Sequence, residues 1–152
     1  MREFAVSDAG ITLAGATTLV FVNNDAAPAQ NLEFLRAWVG QSANATSAQQ
    51  RVELETQVTA FPTLTSATPA ALKRADAVSS IIGGTAGAAG TAGTNASAEG
   101  AGAKTSVWED AFNVLNGWLW VPTPRETIIL PAGTLSGLGL FLPVAPATLT
   151  NW

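Results

Sequence analysis

Two acidic residues have a spacing that could serve chemistry. Glu53 and Glu55 stand two residues apart in RVELETQV, so on a strand they would share one face. A glycosidase or a cation site uses carboxylates placed in this way. The favoured interpretation is an ordinary solvated strand face with Arg51 as a neighbour, because surface strands need charge to discourage edge pairing. No third ligand follows at a suitable spacing, so no metal site is predicted.

A second acidic pair, Glu109 and Asp110, lies beside Trp108. Neighbouring residues of a strand point to opposite faces, so this pair could not easily act together as acid and base.

The chain has no histidine, which removes the commonest general base and the commonest metal ligand. A serine–lysine arrangement with Lys73 or Lys104 stays formally open, but no SxxK or GxSxG spacing supports it. We predict no catalytic residue, no cofactor and no enzymatic activity.

The tryptophans are the stronger candidates for a functional surface. Trp118 and Trp120 would share one face of a strand, which is how a sugar-binding surface is built. Tryptophan also fills the cores of β-sandwiches and anchors subunit interfaces, and this second interpretation is favoured. The candidate interface or binding residues are Trp38, Trp108, Trp118, Trp120 and Trp152.

Composition narrows the classes of protein. A length of 152 residues predicts a single domain over 1–152. Charged residues make up 12% of the chain, roughly half the usual share, and the net charge is −4. Nucleic-acid binding requires clustered basic residues and is not expected. No apolar run is long enough to cross a membrane or to form the core of a signal peptide, so we expect no membrane partner and synthesis in a cytoplasm.

Hydrophobic alternation indicates strands along most of the chain. The clearest runs over residues 51–58, where one face is expected to be buried and the other wet. Two or three strands are predicted within 4–22. One more is predicted within 31–42, with Leu32, Phe34 and Trp38 on one face; a helix is the alternative there, but the flanking turn residues and the aromatic content favour a strand. Two more are predicted over 127–130 and 138–142.

Turn and breaker residues predict the connections. Asn116-Gly117 can supply both left-handed residues of a type I′ hairpin between 112–115 and 118–120. A short helical turn is predicted over 70–77, with Thr68 as its cap.

Residues 83–103 hold seven of the fourteen glycines and predict a long mobile loop, while residues 1–10 are a possible N-terminal arm. Seven to nine short strands with almost no helix predict an all-β fold, an antiparallel β-sandwich or jelly roll with this Gly/Ala-rich loop.

Three stretches together resemble small jelly-roll structural proteins of tailed bacteriophages. They are LEFLRAWVGQSANATSAQQRVEL, EDAFNVLNGWLWVPTPRETIILPAG and GLGLFLPVAPA, and the resemblance covers roughly residues 31–58 and 107–147. In that pattern a Gly-rich excursion separates the first stretch from the second. The chain departs from it at Trp152, where one more closing strand would be expected and could come from a neighbouring subunit.

The resemblance implies a virion structural protein, most simply a capsid decoration or cement protein on the outside of a phage head. Its partners would be copies of itself, as a homo-oligomer that is typically a trimer, and the major capsid protein. Its location would be the virion. The alternative is a carbohydrate-binding or host-attachment module of a tail or fibre that uses exposed tryptophans.

Overall fold

The structure, a computed structural model, describes residues 3–24, 31–42, 46–67, 70–72, 90–132 and 135–152. These residues form twelve strands and no helix, which confirms the all-β prediction. Among them there is accordingly no helix that is long and apolar enough to cross a membrane. The strands are β1 (Phe4–Ala5), β2 (Thr17–Asn24), β3 (Leu32–Phe34), β4 (Ala37–Val39), β5 (Gln49–Val58), β6 (Thr63–Ser66), β7 (Ala70–Ala71), β8 (Gly90–Ala98), β9 (Ala103–Asn113), β10 (Trp118–Trp120), β11 (Ile128–Leu130) and β12 (Ser136–Leu142).

Six strands form one large antiparallel sheet in the order β6-β8-β2-β12-β5-β9, called here the main sheet. Strand β12 lies between β2 and β5 near the middle of this sheet, and in its sequence, SGLGLFL, the leucines alternate with Gly137, Gly139 and Phe141. Leu138, Leu140 and Leu142 point to one face and are buried in the core.

The glycines of β12 face the other way and make room for an aromatic ring. A Cβ atom on Gly137 would lie 2.3 Å from ring atoms of Phe21, and one on Gly139 would lie 2.9 Å from that ring. Phe21 is 2% exposed, and its ring centroid lies 5.3 Å from that of Phe61. The outer face of the main sheet therefore carries a small aromatic cluster of its own.

Two short antiparallel sheets, β3–β11 and β4–β10, cover the core face of the main sheet and are called here the small layer. The main sheet contributes leucines and valines of β2, β5 and β12 to the shared core, together with Phe112. The small layer contributes Val39, Trp118, Trp120 and Leu130. Burial of such large apolar side chains is the main stabilising term in a chain without disulfides.

The N-terminal segment pairs within the chain rather than forming a free arm over its described part. Phe4 and Ala5 of β1 pair with Ala71 and Ala70 of β7. Asp8 then accepts a 2.6 Å hydrogen bond from the Thr94 hydroxyl of the main sheet.

The helical turn predicted over 70–77 is wrong at its start, because residues 70–71 are extended and paired with β1. Residues 68–69 and 73–77 lie outside the described residues.

The predicted hairpin at Asn116-Gly117 is also wrong. A type I′ turn needs positive φ at both residues, whereas here Gly117 (φ 69°) has it and Asn116 does not. The Asn116 N–H instead closes a turn on the Asn113 carbonyl at 2.9 Å. The chain leaves the main sheet at this turn, and β10 pairs with β4 of the small layer.

The Gly-rich segment is regular strand over most of its described part, which corrects the predicted loop. Residues 90–98 form β8, paired with β2 on one side and β6 on the other, and β9 begins at residue 103. Gly93 is needed for space, since a Cβ atom there would lie 2.5 Å from Leu64 Cβ. Small residues here allow close packing. Residues 83–89 lie outside the described residues.

Candidate interaction surface

Alternation along β4 and β10 separates core tryptophans from a surface tryptophan. Trp118 pairs with Val39, and both are buried. The next pair, Leu119 and Trp38, points to solvent with 63% and 49% of each residue exposed. Cross-strand neighbours on one face lie about 5 Å apart at Cβ, so these two form one apolar surface.

The outward direction of Trp38 depends on a break in its strand. The sequence predicts one strand through this region, with Leu32, Phe34 and Trp38 on one face. The structure has two strands, because Leu35 and Arg36 leave the extended pairing between β3 and β4. The break shifts the alternation, so Leu32 and Phe34 pack against the core while Trp38 faces outward.

The segments that form the small layer expose two more apolar side chains. Val121 follows β10 and is 61% exposed, and Leu35 lies between β3 and β4 and is 43% exposed. The guanidinium carbon of Arg36 lies 5.5 Å from the ring centroid of Trp38, which holds the indole under a cation. We call Leu35, Trp38, Leu119 and Val121 the apolar outer surface.

The remaining tryptophans divide between core and sheet edge. Trp118, Trp120 and Trp152 are buried, so a sugar-binding surface built on Trp118 and Trp120 is ruled out. Their shared face, predicted from the sequence, is confirmed but points inward. Trp152 donates from Nε1 to the Thr148 carbonyl at 2.7 Å. Trp108, on the edge strand β9, is 42% exposed.

A polar cluster lies on the outer face of the main sheet, where three charged side chains meet. Lys104 Nζ lies 3.2 Å from Glu55 Oε2 and 2.9 Å from Glu99 Oε2. Glu99 also accepts hydrogen bonds from the Thr18 hydroxyl at 2.5 Å and the Thr18 N–H at 2.7 Å. The Lys104 ammonium lies 4.4 Å from the centroid of the Phe141 ring.

Two β-bulges place Thr18 and Lys104 on this face. The register of β5 and β9 passes from Leu54↔Trp108 to Glu55↔Ser106 and skips Val107. Without that extra residue, Lys104 would fall on the same face as Trp108, towards the core.

The pairing of β2 with β12 contains the second β-bulge. Its register passes from Val20↔Leu140 to Thr18↔Phe141 and skips Leu19. The sequence signals neither bulge, and sequence reasoning therefore missed Thr18 and Glu99 altogether.

Burial and hydrogen bonding act in opposite directions on the pKa values of this cluster. Burial raises the pKa of Glu55, and Lys104 offsets this only in part. Burial alone would also raise the pKa of Glu99, but hydrogen bonds from Thr18 and Lys104 hold it below its ordinary value. Burial alone would lower the pKa of Lys104, yet its bonds to Glu99 and Glu55 raise it.

The acidic pairs named from the sequence are engaged in structural contacts. Glu53 and Glu55 share a face as expected, but Glu53 lies 3.2 Å from Arg51 and is only 9% exposed. Gln57 on the same face is 1% exposed, so the prediction of a wet face is wrong for this half of β5. Among the described residues no group of acidic side chains is arranged to hold a metal ion.

Glu109 and Asp110 point to opposite faces, as their partners show. Glu109 contacts Arg51 at 3.4 Å on the outer face, and Asp110 accepts a hydrogen bond from Trp118 on the core side.

Comparisons with protein-family models, with curated proteins and with solved structures find no match to this chain.

Proposed function

We propose that the protein is a structural component of a virus particle, a capsid decoration or cement protein that binds the outside of a phage head as an oligomer, typically a trimer. The observation that carries the proposal is the apolar outer surface, where Trp38 is 49% exposed and Leu119 is 63% exposed. Large aromatic and aliphatic side chains of this kind anchor protein–protein interfaces. The major capsid protein and further copies of the chain are the proposed partners, and a jelly-roll topology is the proposed fold family.

The charged groups support a non-catalytic role. Glu53, Glu55 and Glu109 each contact a lysine or an arginine of the same chain. These contacts leave the three carboxylates engaged within the protein. We therefore assign neither an enzymatic activity nor a cofactor.

A binding experiment tests this surface directly. Virus particles stripped of the protein would be sedimented with the purified wild type, with Trp38→Ala or with Leu119→Ala. Loss of a central aromatic anchor costs about 2 kcal/mol or more, so the bound fraction at limiting concentration should fall roughly tenfold or more. Val144→Ala is the matched control, because Val144 is 53% exposed at another place on the surface. Equal binding by all four proteins would contradict the proposed contact.

A carbohydrate-binding or host-attachment module is the second candidate. Two exposed tryptophans, Trp38 and Trp108, keep it open, although they lie on different sheets. Retention of the wild type on immobilised host glycans, with loss of retention in Trp38→Ala or Trp108→Ala and undiminished binding to particles, would favour this candidate.

A further inference from the structure

The pair Asn116-Gly117 is a sequence motif with no part in the proposed function. It lies in the turn that leads from β9 of the main sheet to β10 of the small layer. Asn116 is exposed, and its carboxamide makes no hydrogen bond to another described residue. Gly117 follows with a left-handed backbone, at a φ of 69°. The side chain of Asn116 is therefore free to turn towards the peptide bond that follows it.

An asparagine side chain in this position is open to attack by the next backbone nitrogen. The Gly117 nitrogen gives its proton to hydroxide and forms a bond to Cγ of Asn116, and the carboxamide nitrogen leaves as ammonia. The product is a five-membered succinimide ring. Water opens this ring at one of its two carbonyls. Attack at Cγ gives aspartate, and attack at the main-chain carbonyl gives isoaspartate, in which the main chain runs through Cβ and Cγ.

Glycine at the second position removes the main obstacle to this attack. A residue with a Cβ atom shields its own backbone nitrogen, whereas Gly117 has no side chain and a wider choice of backbone angles. The two reacting groups are neighbours in the chain, and such proximity gives a large rate advantage to an intramolecular reaction. The dipeptide Asn-Gly occurs once in the sequence, so one position is singled out.

Two other asparagines show what a protected side chain looks like. Asn113, at the start of the same turn, accepts a hydrogen bond from the Leu115 N–H at 3.0 Å. It also donates from Nδ2 to the Ser47 hydroxyl at 2.6 Å. Asn24 is 1% exposed and donates from Nδ2 to the Pro131 carbonyl at 2.8 Å. These bonds fix the carboxamide away from the following nitrogen, and neither residue is followed by glycine.

We propose that Asn116 is a site of spontaneous deamidation in the folded protein, with water as the co-reactant and isoaspartate as the main product. Isoaspartate dominates because the main-chain carbonyl of the ring is the more electrophilic of the two. The change is one-way and adds a negative charge to a chain whose net charge is −4. The inference goes beyond the proposed function, since it concerns the ageing of the molecule and does not require a virion.

Isoaspartate at this position should disturb the entry to β10. Its main chain is longer by one carbon, and the backbone that follows is closely packed. A Cβ atom on Gly117 would lie 3.1 Å from the Val39 carbonyl oxygen, and one on Gly40 would lie 3.9 Å from Gly117 Cα. The next residue, Trp118, is buried in the core. The added carbon therefore has little room, and we expect the melting temperature to fall by several degrees.

Mass spectrometry of one peptide tests the proposal. The full chain would be aged at alkaline pH, in buffer and in urea, and then digested briefly with trypsin at mildly acidic pH. Cleavage after Lys104 and Arg125 gives the peptide 105–125, which contains Asn116 together with Asn113 as an internal control. Fragmentation locates the mass gain of about 1 Da that replacement of the amide by a carboxyl group causes. Labelling by an isoaspartyl methyltransferase identifies the isoaspartate product.

Two variants separate the reaction from its structural effect. Asn116→Gln must close a six-membered ring, so it should lose ammonia roughly tenfold or more slowly than the wild type. Asn116→Asp supplies the aspartate product without the added main-chain carbon. After ageing, the wild type should melt several degrees lower than before, and Asn116→Gln should be unchanged. Fresh Asn116→Asp should melt with the fresh wild type, because residue 116 is exposed.

Conversion of Asn116 but not of Asn113 in the folded chain supports the proposal. An Asn116 that stays intact in buffer while it converts in urea overturns it, because the turn would then protect the side chain. Equal conversion of both asparagines in buffer also overturns it, since unfolding would then control the reaction. An aged, converted wild type that melts like the fresh protein would overturn the predicted effect on β10.

Discussion

Trp118 donates a hydrogen bond from Nε1 to Asp110 Oδ2 at 3.0 Å, and this bond joins the small layer to the edge strand of the main sheet. It explains two sequence features at once. Asp110 is a partner for a buried indole, and Trp118 fills the core while its polar atom is satisfied. The same layer presents Trp38 on its opposite side, so one short sheet supplies both a core and a surface.

Removal of the Asp110 carboxylate should destabilise the protein. Asp110→Ala leaves the Trp118 N–H without its partner, and the free energy of unfolding should fall by about 1–3 kcal/mol in a urea titration. Glu109→Ala is the control, because its contact with Arg51 is between exposed side chains and should be worth less than about 1 kcal/mol. A larger loss for Glu109→Ala than for Asp110→Ala would contradict this assignment.

Core and surface tryptophans should respond differently to truncation. Trp120→Ala removes a side chain that is 5% exposed and should cost about 3–5 kcal/mol of unfolding free energy. Trp38→Ala removes a half-exposed ring and should cost less than about 1 kcal/mol. Thermal or urea unfolding of both variants gives the comparison, and similar losses would show that Trp38 is part of the core.

The glycine beneath Phe21 should not tolerate a methyl group. Gly137→Ala places a Cβ atom 2.3 Å from the Phe21 ring, so the ring and its Phe61 neighbour must move. The expected cost is about 1–3 kcal/mol, as for other overpacked sites. Gly15→Ala, where a Cβ atom meets nothing within 4 Å, should leave the melting temperature nearly unchanged. Equal melting temperatures for the two variants would show that the ring has room.

Glu99 should make stability depend on acidity. Its pKa is lowered in the folded state, so its contribution is present above the ordinary value of 4.5 and is lost as the pH falls through the folded pKa. Glu99→Gln should therefore be less stable than the wild type at pH 7 by about 1–2 kcal/mol, and the difference should shrink towards pH 3. Urea titrations at the two pH values provide the measurement.

Glu55 is the matched control for that prediction, because its shift has the opposite sign. Its pKa is raised, so ionisation of Glu55 costs folded-state stability as the pH rises above 4.5. The gain in stability from pH 3 to pH 7 should be larger in Glu55→Gln than in the wild type, and smaller in Glu99→Gln. The same change in both variants would show that Lys104 does not distinguish the two carboxylates.

The sequence predicted those features that depend on local alternation. The strands predicted over 51–58 and 138–142 correspond to Gln49–Val58 and Ser136–Leu142 in the structure, and the shared face of Trp118 and Trp120 was correct. Alternation of apolar and polar residues marks such strands directly, because one side chain in two must enter the core.

Features that depend on distant neighbours could not be predicted in this way. Glycines in residues 90–98 were interpreted as a sign of flexibility, whereas Gly93 provides space for Leu64 across the strand pair. The bulge at Val107 and the break at Leu35-Arg36 each shift a strand by one residue, which moves Lys104 and Trp38 to the opposite faces. Neither shift leaves a mark in local composition.

Peptide mass spectrometry tests the central claim most directly. Gradient-purified, DNA-filled virus particles from the source culture would be digested, and the copy number of the chain would be measured against the major shell protein. The account predicts hundreds of copies per particle, as expected of a protein that covers the head. Absence of the protein from the particles would contradict the account.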